Sequence, residues 1–373
     1  MKATCEREKL LHAFQTAAGV APSRSPKPIL TNVKFELSED RATLMGTDLE
    51  VGIRLEVSGV EIEAPGNAVL PINRFGSILR ESSDDRLVIE NDGNKTLVRG
   101  ERSQFQLPSE NPDEFPSVAV FEEQKYHELP ARFFREIVRR TAFATDNESS
   151  RYALGGVLLE LGPETIIAVG TDGRRLAKQE GPAQSVGDHG TGESNTIVPT
   201  RAMQVLERAL ADNDENIRLA ARDNDVLVQS AGTTIYSRLV EGRFPRWRDV
   251  FPPTDGTVRI ELTVGPFHAA VRQAQIVVSE ERRGVEFTFS DGKVTLAGHG
   301  AELGESHIEL PIAYEGDELA ITLDPRYASD FLKVLDPEQT FTLELRDSES
   351  AAVCRTDDGY GYVIMPLARE QKP

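Results

Sequence analysis

Residues 30–48 and 154–172 of this chain spell one pattern twice, LTNVKFELSEDRATLMGTD and LGGVLLELGPETIIAVGTD, with no gap. Leu30 and Leu154, Leu37 and Leu161, and Asp48 and Asp172 each lie 124 positions apart. A third copy, GVEFTFSDGKVTLAG at 284–298, matches 156–170 at a constant spacing of 128. Each copy is two apolar-rich, partly alternating runs around a polar turn, which predicts a β-hairpin. Periods of roughly 20–50 residues mark solenoids, so a period this long means duplicated whole domains.

The flanks repeat in the same order. Before each hairpin an apolar stripe recurs at helical spacing: Leu10, Leu11, Phe14, Ala17 and Ala18; then Phe133, Phe134, Ile137, Val138 and Ala142; then Phe267, Ala270, Val271 and Ala274. After each hairpin a strand runs into a second helix, predicted at Asn73–Arg80, Arg201–Leu210 and Arg326–Leu335, with proline at or near each start. Later strands close each unit, as in Leu97–Leu107, Val226–Leu239 and Ala352–Leu367. The fold class is therefore α+β: three tandem copies of a two-helix, antiparallel-sheet domain. Polar or Pro/Gly-rich joints near Glu122–Lys125 and Pro252–Gly256 place the domains at 1–122, 126–252 and 256–373. The stretch Gly181–Ser194 reads as an insertion-like loop, and Gly187–Gly192 has the composition of a mobile one.

Composition narrows the function classes. A formal charge of −19 argues on its face against a nucleic-acid binder, but net charge does not report distribution. Two cysteines at opposite ends, Cys5 and Cys354, fit a reduced, cytoplasmic setting. Neither a signal-peptide core nor a membrane-length apolar run is present. The six histidines show no HxxxH or HExxH spacing, so no metal is expected. No GxxxxGK[ST] loop or GxSxG elbow appears, and no cofactor is expected. The repeated Gly-Thr-Asp invites a catalytic reading of Asp48 and Asp172. Copy three replaces it with Gly298-His299-Gly300, and an aspartate at a strand-end turn is expected to bond nearby backbone donors. Nothing assembles a nucleophile, a base and an oxyanion site, so the chain does not read as an enzyme.

Several ordered strings carry a family resemblance over essentially the whole chain: Gly46-Thr47-Asp48-Leu49-Glu50, Arg151-Tyr152, Thr171-Asp172-Gly173-Arg174-Arg175-Leu176, Gly242-Arg243-Phe244-Pro245, Arg283-Gly284-Val285 and Tyr362-Val363-Ile364-Met365-Pro366-Leu367. On a triplicated scaffold they resemble the bacterial sliding clamps, the beta subunits of the replicative DNA polymerase. The resemblance implies a six-domain ring made by a head-to-tail homodimer, with helices inside and strands outside. It implies a processivity factor on double-stranded DNA. Its partners would be the polymerase III catalytic subunit, the clamp loader, and other polymerases and repair proteins that attach by short linear peptides.

Three residue sets follow. Arg132, Arg135 and Arg139 share a helix face, Arg272 stands in the place of Arg139 in copy three, and the second helices add Arg74, Arg80, Arg201, Arg208, Arg326 and Lys333. A solvated helix face explains any one such row. As a set inside a ring they would meet phosphates without reading bases, and the resemblance adds Arg24, Arg151 and Tyr152. A scaffold without DNA would need no such set. The resemblance also implies an apolar peptide cleft at Leu154, Thr171, Gly173, Arg175, Leu176, Pro245, Val250, Thr322, Tyr327, Val363, Ile364, Met365, Pro366 and Leu367; ordinary core residues are the competing reading. The chain departs from the family at Arg282, where an aromatic can occur, and at Asp249, where a basic residue can occur. Finally, the resemblance sets Phe105 and Leu107 against Ile276 and Val277 of a second chain, with Arg99 and Arg102 facing Glu302 and Glu305. Opposed charge there would favour head-to-tail pairing.

Overall fold

The structure, a computed structural model, describes residues 1–146, 153–192, 194–210, 213–251, 256–279, 283–300 and 303–367. Within them lie six α-helices: α1 Arg7–Ala18, α2 Ile72–Glu81, α3 Ala131–Thr141, α4 Thr200–Ala209, α5 Val264–Ala274 and α6 Pro325–Lys333. α1, α3 and α5 carry the apolar stripes read from the sequence, and α2, α4 and α6 overlap the second helices predicted at Asn73–Arg80, Arg201–Leu210 and Arg326–Leu335. In α1 the buried side chains are Leu10, Ala13, Phe14 and Ala17, one stripe at three- and four-residue steps. In α5 they include Phe267, Ala270, Val271 and Ala274. Pro325 opens α6, and the Asp324 carboxylate accepts from the Arg326 N–H (3.0 Å). Pro71 and Pro199 stand one step earlier, as the last extended residues before α2 and α4. No helix among the described residues is long and apolar enough to cross a membrane.

The chain divides into two compact units, Met1–Arg135 with Ala183–Leu239, and Glu136–Pro182 with Val240–Pro373. In the first, one sheet runs in the order Gln184–Val186, Tyr126–Pro130, Asn216–Ala221, Asp225–Ser230, Thr233–Arg238, Val51–Glu56, Ala42–Thr47, Asn32–Leu37 and Gly66–Pro71. A second sheet runs Val60–Ala64, Lys2–Glu6, Arg86–Asn91, Lys95–Arg99 and Gln104–Pro108. Phe14 of α1 and Phe75 of α2 meet edge to face, with ring centres 5.0 Å apart.

In the second unit the successive strands Gly156–Leu161, Thr165–Thr171, Arg175–Pro182, Tyr360–Ile364, Ala352–Arg355, Thr340–Leu345 and Val258–Thr263 pair in that order. A four-stranded sheet runs Gly304–Pro311, Lys293–Gly300, Val285–Ser290 and Leu319–Leu323. Phe287, Phe289 and Val285 alternate inward along the third of these and join α5 and α6 in one apolar core.

Sequence repetition did not foretell how the copies are sewn together. The last strand of copy two, Thr233–Arg238, pairs antiparallel with Val51–Glu56 of copy one, Ile235 opposite Ile53. The last strand of copy three, Tyr360–Ile364, pairs the same way with Arg175–Pro182 of copy two, Val363 opposite Leu176. An open edge of one copy is thus covered by the closing strand of the next, which satisfies backbone groups that would otherwise be exposed.

One close approach recurs in all three copies. A Cβ on Gly46 would lie 2.2 Å from the carbonyl oxygen of Ala17, and one on Gly170 would lie 2.2 Å from that of Thr141. On Gly298 it would lie 2.8 Å from the carbonyl oxygen of Ala274. The C-terminal end of the first helix rests directly on the hairpin backbone, which is why the repeat keeps glycine there.

The glycine-rich stretch after residue 181 is more ordered than its composition suggests. Gln184–Val186 pairs with Tyr126–Glu128, and His189 is buried with its Nδ1 2.7 Å from Nδ1 of His127. His189 Nε2 lies 3.1 Å from both the N–H and the carbonyl oxygen of Ala221, which ties the ring to the neighbouring strand. A buried polar anchor holds a segment with few apolar side chains of its own.

Candidate functional site

The second hairpin ends in Gly-Thr-Asp, and its hydrogen bonds explain the motif. The Thr171 hydroxyl donates to the Arg175 carbonyl (2.6 Å) and accepts from the Gly173 N–H (3.1 Å). Asp172 Oδ1 accepts from the N–H groups of Arg174 and Arg175, both at 2.9 Å. Copy one repeats this: Thr47 bonds the Val51 carbonyl and the Leu49 N–H, and Asp48 accepts from Glu50 and Val51. Both aspartates build turns, as their position predicts.

The turn delivers Arg175 into the second unit. Its Nε donates to Asp172 Oδ2 (3.0 Å), Nη1 to Asp330 Oδ2 (2.7 Å) and Nη2 to the Phe143 carbonyl (2.8 Å). The guanidinium lies over the rings of Tyr327 (4.6 Å) and Phe143 (5.3 Å). Burial works against its charge, but Tyr362, Asp330 and Asp172 outweigh that cost and hold it above the ordinary arginine range.

Beside this arginine opens a cleft of about 640 Å³. Leu154, Thr171, Gly173, Arg175, Leu176, Pro245, Val250, Val363 and Met365 line it, all predicted from sequence. Arg174, Arg243, Phe244 and Arg246 line it too and were not predicted, although all but Arg246 fall within the recognised strings. Thr322, Tyr327, Ile364, Pro366 and Leu367 lie outside the lining. Strand alternation explains Ile364: Val363 faces the cleft, so its neighbour joins the apolar core of α5 and α6. Tyr327 backs Arg175, and the Thr322 carbonyl accepts from the Leu367 N–H (2.9 Å), tying down the terminal segment. Val250 and Met365 are exposed (37% and 44%), which suits an adaptable apolar surface.

Between the lining residues Arg246 and Val250 the chain is pinned by a three-part contact. Trp247 Nε1 donates to Glu160 Oε1 (2.9 Å), and Arg248 reaches both Glu160 oxygens (3.0 and 2.6 Å) while covering the indole at 4.2 Å. Burial pushes the Glu160 carboxyl up, but the Arg248 and Trp247 donors overcome it and hold it below its usual range.

The predicted basic residues are mostly at the surface. Arg24, Arg74, Arg80, Arg132, Arg139, Arg201, Arg208, Arg272 and Arg326 are exposed. Several have partners within the chain: Arg201 meets Asp48 (3.0 Å), Arg326 meets Asp324 (2.7 Å) and Lys333 meets Asp330 (3.2 Å). Arg135 is half-buried and donates to the Leu210 carbonyl (3.0 Å), capping the end of α4. Arg151 and Tyr152 lie outside the described residues, as do Arg282 and Glu302.

The predicted chain-to-chain residues divide along each strand. Phe105 is 40% exposed while Leu107 turns into its own core. Ile276 is 74% exposed and Val277 half-buried. Arg99 contacts Glu90 (3.3 Å), Arg102 is exposed, and Glu305 lies 3.5 Å from His299. The exposed Leu303 beside them was not predicted.

Comparison with known proteins accounts for the chain end to end. Residues 1–119, 128–246 and 248–368 match the N-terminal, central and C-terminal domains of the DNA polymerase III beta subunit. The beta sliding clamp of Pseudomonas putida is 31% identical over 375 residues, covering 98% of this chain and all of the relative. That of Escherichia coli K12 is 29% identical over 371 residues, with coverage of 98% and 100%. A Pseudomonas aeruginosa sliding clamp solved with griselimycin superposes with a TM-score of 0.91 at 29% identity, covering 99% of this chain and 100% of that one. The Bacillus subtilis sliding clamp has a TM-score of 0.92 at 24% identity, with the same coverage, which speaks to the fold alone.

Proposed function

The chain belongs to the DNA polymerase III beta-subunit family, a non-catalytic processivity clamp for DNA polymerase, and we propose that it works as a head-to-tail ring of two chains around duplex DNA. One observation carries the ring. In copies one and two the strand after the hairpin is covered by the closing strand of the following copy. The corresponding strand of copy three, Gly304–Pro311, ends its sheet, and so does the closing strand of copy one, Gln104–Pro108. The same pairing repeated between two chains, copy three on copy one, uses both open edges and closes the set.

The side chains on those edges suit that pairing. Exposed Ile276 and Leu303 flank one edge and exposed Phe105 the other, with Glu305 on the first and Arg99 and Arg102 on the second. Charge opposition of this kind sets orientation more than affinity. Three clamp domains at 1–122, 126–252 and 256–373 per chain give a six-domain ring. The exposed arginines of the helices, with Arg24, Arg151 and Tyr152, would meet DNA phosphates without sequence preference. The cleft beside Arg175 would receive peptides from the polymerase catalytic subunit, the clamp loader and other polymerases or repair proteins, in the cytoplasm.

Sedimentation mass combined with retention on circular and linear duplex DNA, loader supplied, tests the whole reading. A two-chain mass with retention on circles and loss from linear ends is expected. Ile276→Asp and Phe105→Asp, both at exposed positions, should each halve the mass and abolish retention. Equal retention on both DNA forms would refute encirclement.

A further inference from the structure

Copy three departs from copy two at one place on its basic helix face. Ala131 and Val264 open α3 and α5 with the same backbone bond, N–H to the carbonyl of Glu215 (2.9 Å) and of Gln339 (3.0 Å). Counted from that bond, Arg139 matches Arg272 and Arg135 matches His268. The second helices agree as well: Arg80, Arg208 and Lys333 each stand nine residues after the last extended residue, Pro71, Pro199 or Asp324. A permanent charge at 135 is thus replaced at 268 by one that titrates near neutrality.

The imidazole is built into the α5–α6 pair. Its Nε2 lies 3.1 Å from the hydroxyl of Ser329, which is buried. A hydroxyl donates to the neutral ring and accepts from the protonated one, so this contact holds His268 in both states. Arg272 follows it by one turn on α5, and Lys333 follows Ser329 by one turn on α6, both exposed. Burial first, then these two charges, push the imidazole below its ordinary 6.5. Asp330 of α6 is committed to Arg175 (2.7 Å) and Lys333 (3.2 Å). The loop after α6, whose Pro337 carbonyl accepts from the Gly265 N–H (2.8 Å), carries the exposed acids Asp336 and Glu338. The end of α5 rests on Gly298 and Ser306, neither of which titrates.

We propose that His268, with Arg272 and Lys333, forms a proton-linked contact for a backbone phosphate of duplex DNA, neutral while the helix face is empty and protonated when a phosphate sits against it. The inference rests on the DNA reading above and specifies how one of its contacts is switched. An arriving phosphate offsets the two cations that keep the ring neutral, so binding takes up a proton. The protonated ring spends Nε2–H on Ser329 and offers Nδ1–H to the phosphate oxygen. By linkage, a falling pH tightens the same contact. Arg135 in copy two cannot act this way, because its charge is permanent and its Nη1 already donates to the Leu210 carbonyl.

Fluorescence polarisation of a short labelled duplex with the full chain, at low salt and from about pH 7.8 to about pH 5.8, tests this. Affinity should rise about fivefold toward the acid end. His268→Gln keeps a hydrogen-bonding group for Ser329 but cannot charge, and should remove most of that rise. His268→Arg restores the residue of copy two and should bind at the alkaline end as tightly as the unmodified chain does at the acid end. An undiminished rise in His268→Gln would overturn the inference while leaving the DNA reading intact. Failure to bind duplex at any pH would remove both. A second arm follows the His268 ring by NMR, its signal identified by its loss in His268→Gln. Duplex should raise its titration midpoint, and inorganic phosphate at the same phosphate concentration should leave it nearly unmoved. An equal rise with both would assign the contact to free phosphate and overturn its role on DNA, and no rise with duplex would overturn it outright.

Discussion

The Gly-Thr-Asp turns of copies one and two are built alike and serve different ends. Their hydrogen bonds match atom for atom, and each leaves the turn through a left-handed residue, Leu49 (φ 81°) or Gly173 (φ 84°). The following strand closes on them identically: the Arg238 N–H bonds the Glu50 carbonyl and the Met365 N–H bonds the Arg174 carbonyl, both at 2.9 Å. Around this shared backbone the side chains diverge. Copy one has Leu49, Glu50, Val51 and Arg238 where copy two and its neighbour have Gly173, Arg174, Arg175 and Met365. Val51 is buried and Arg238 lies 3.6 Å from Glu50, so a pair of charges occupies the rim of the first turn. At the second, a glycine and an exposed methionine border an open cleft. Duplication supplied one geometry twice, and a few side chains decide which copy presents a binding surface.

If the turns share their packing, they should share their most sensitive point. Gly46→Ala and Gly170→Ala each drive a Cβ to 2.2 Å from a helix-end carbonyl and should each cost about 3 kcal/mol, read by denaturant titration. Gly298→Ala, with 2.8 Å to Ala274, should cost less, on the order of 1–2 kcal/mol. A tolerated Gly46→Ala beside a disruptive Gly170→Ala would break the equivalence.

The charged contacts of the two turns should separate. Arg175→Ala strips two carboxylates and a carbonyl of their donor at a side chain only 11% exposed, a loss of about 2 kcal/mol. Arg201→Ala removes a 52% exposed partner of Asp48 and should cost under about 1 kcal/mol. Similar losses at both would mean that burial does not distinguish the turns. Smaller and opposite in sign are the left-handed positions. Gly173→Ala meets no atom within 4 Å but must adopt φ 84°, at about 1 kcal/mol, whereas Leu49→Gly relieves that strain and should be neutral to stabilising by less than about 1 kcal/mol. Thermal unfolding of the pair decides it.

The helices, hairpins and turn aspartates were legible because each is a local pattern: a 3.6-residue stripe, alternation, or an acid at a strand end. The pairing of Thr233–Arg238 with Val51–Glu56 was not, since no local property of either strand names a partner about 180 residues away. The cleft was legible through recognised strings more than through physics. Leu176 and Val363 could as easily have been core, as Ile364 and Leu107 are, because alternation says which residues share a face and not what that face meets. Arg246 was missed because a lone surface arginine outside the recognised strings carries no signal of its own. The ordered stretch around His189 was missed because its anchor is one polar contact between distant histidines, invisible to composition.

The smallest effect concerns the Trp247 contact beside the cleft. Trp247 is the single tryptophan of the chain, so its emission reports on Glu160 and Arg248 without interference. The donors around Glu160 hold its carboxyl below the ordinary 4.5, so their contribution is fully present above about pH 4.5 and fades as pH falls through the lowered value. An emission change with a midpoint below pH 4.5 is expected, ahead of any loss of helix signal in far-ultraviolet dichroism. Glu160→Gln keeps an acceptor for the indole but not the charge for Arg248, and should remove this transition while leaving Trp247 partly shielded. A midpoint at or above 4.5 would mean that burial outweighs the two donors, and Trp247 would then be held by the Arg248–indole contact instead of the carboxylate.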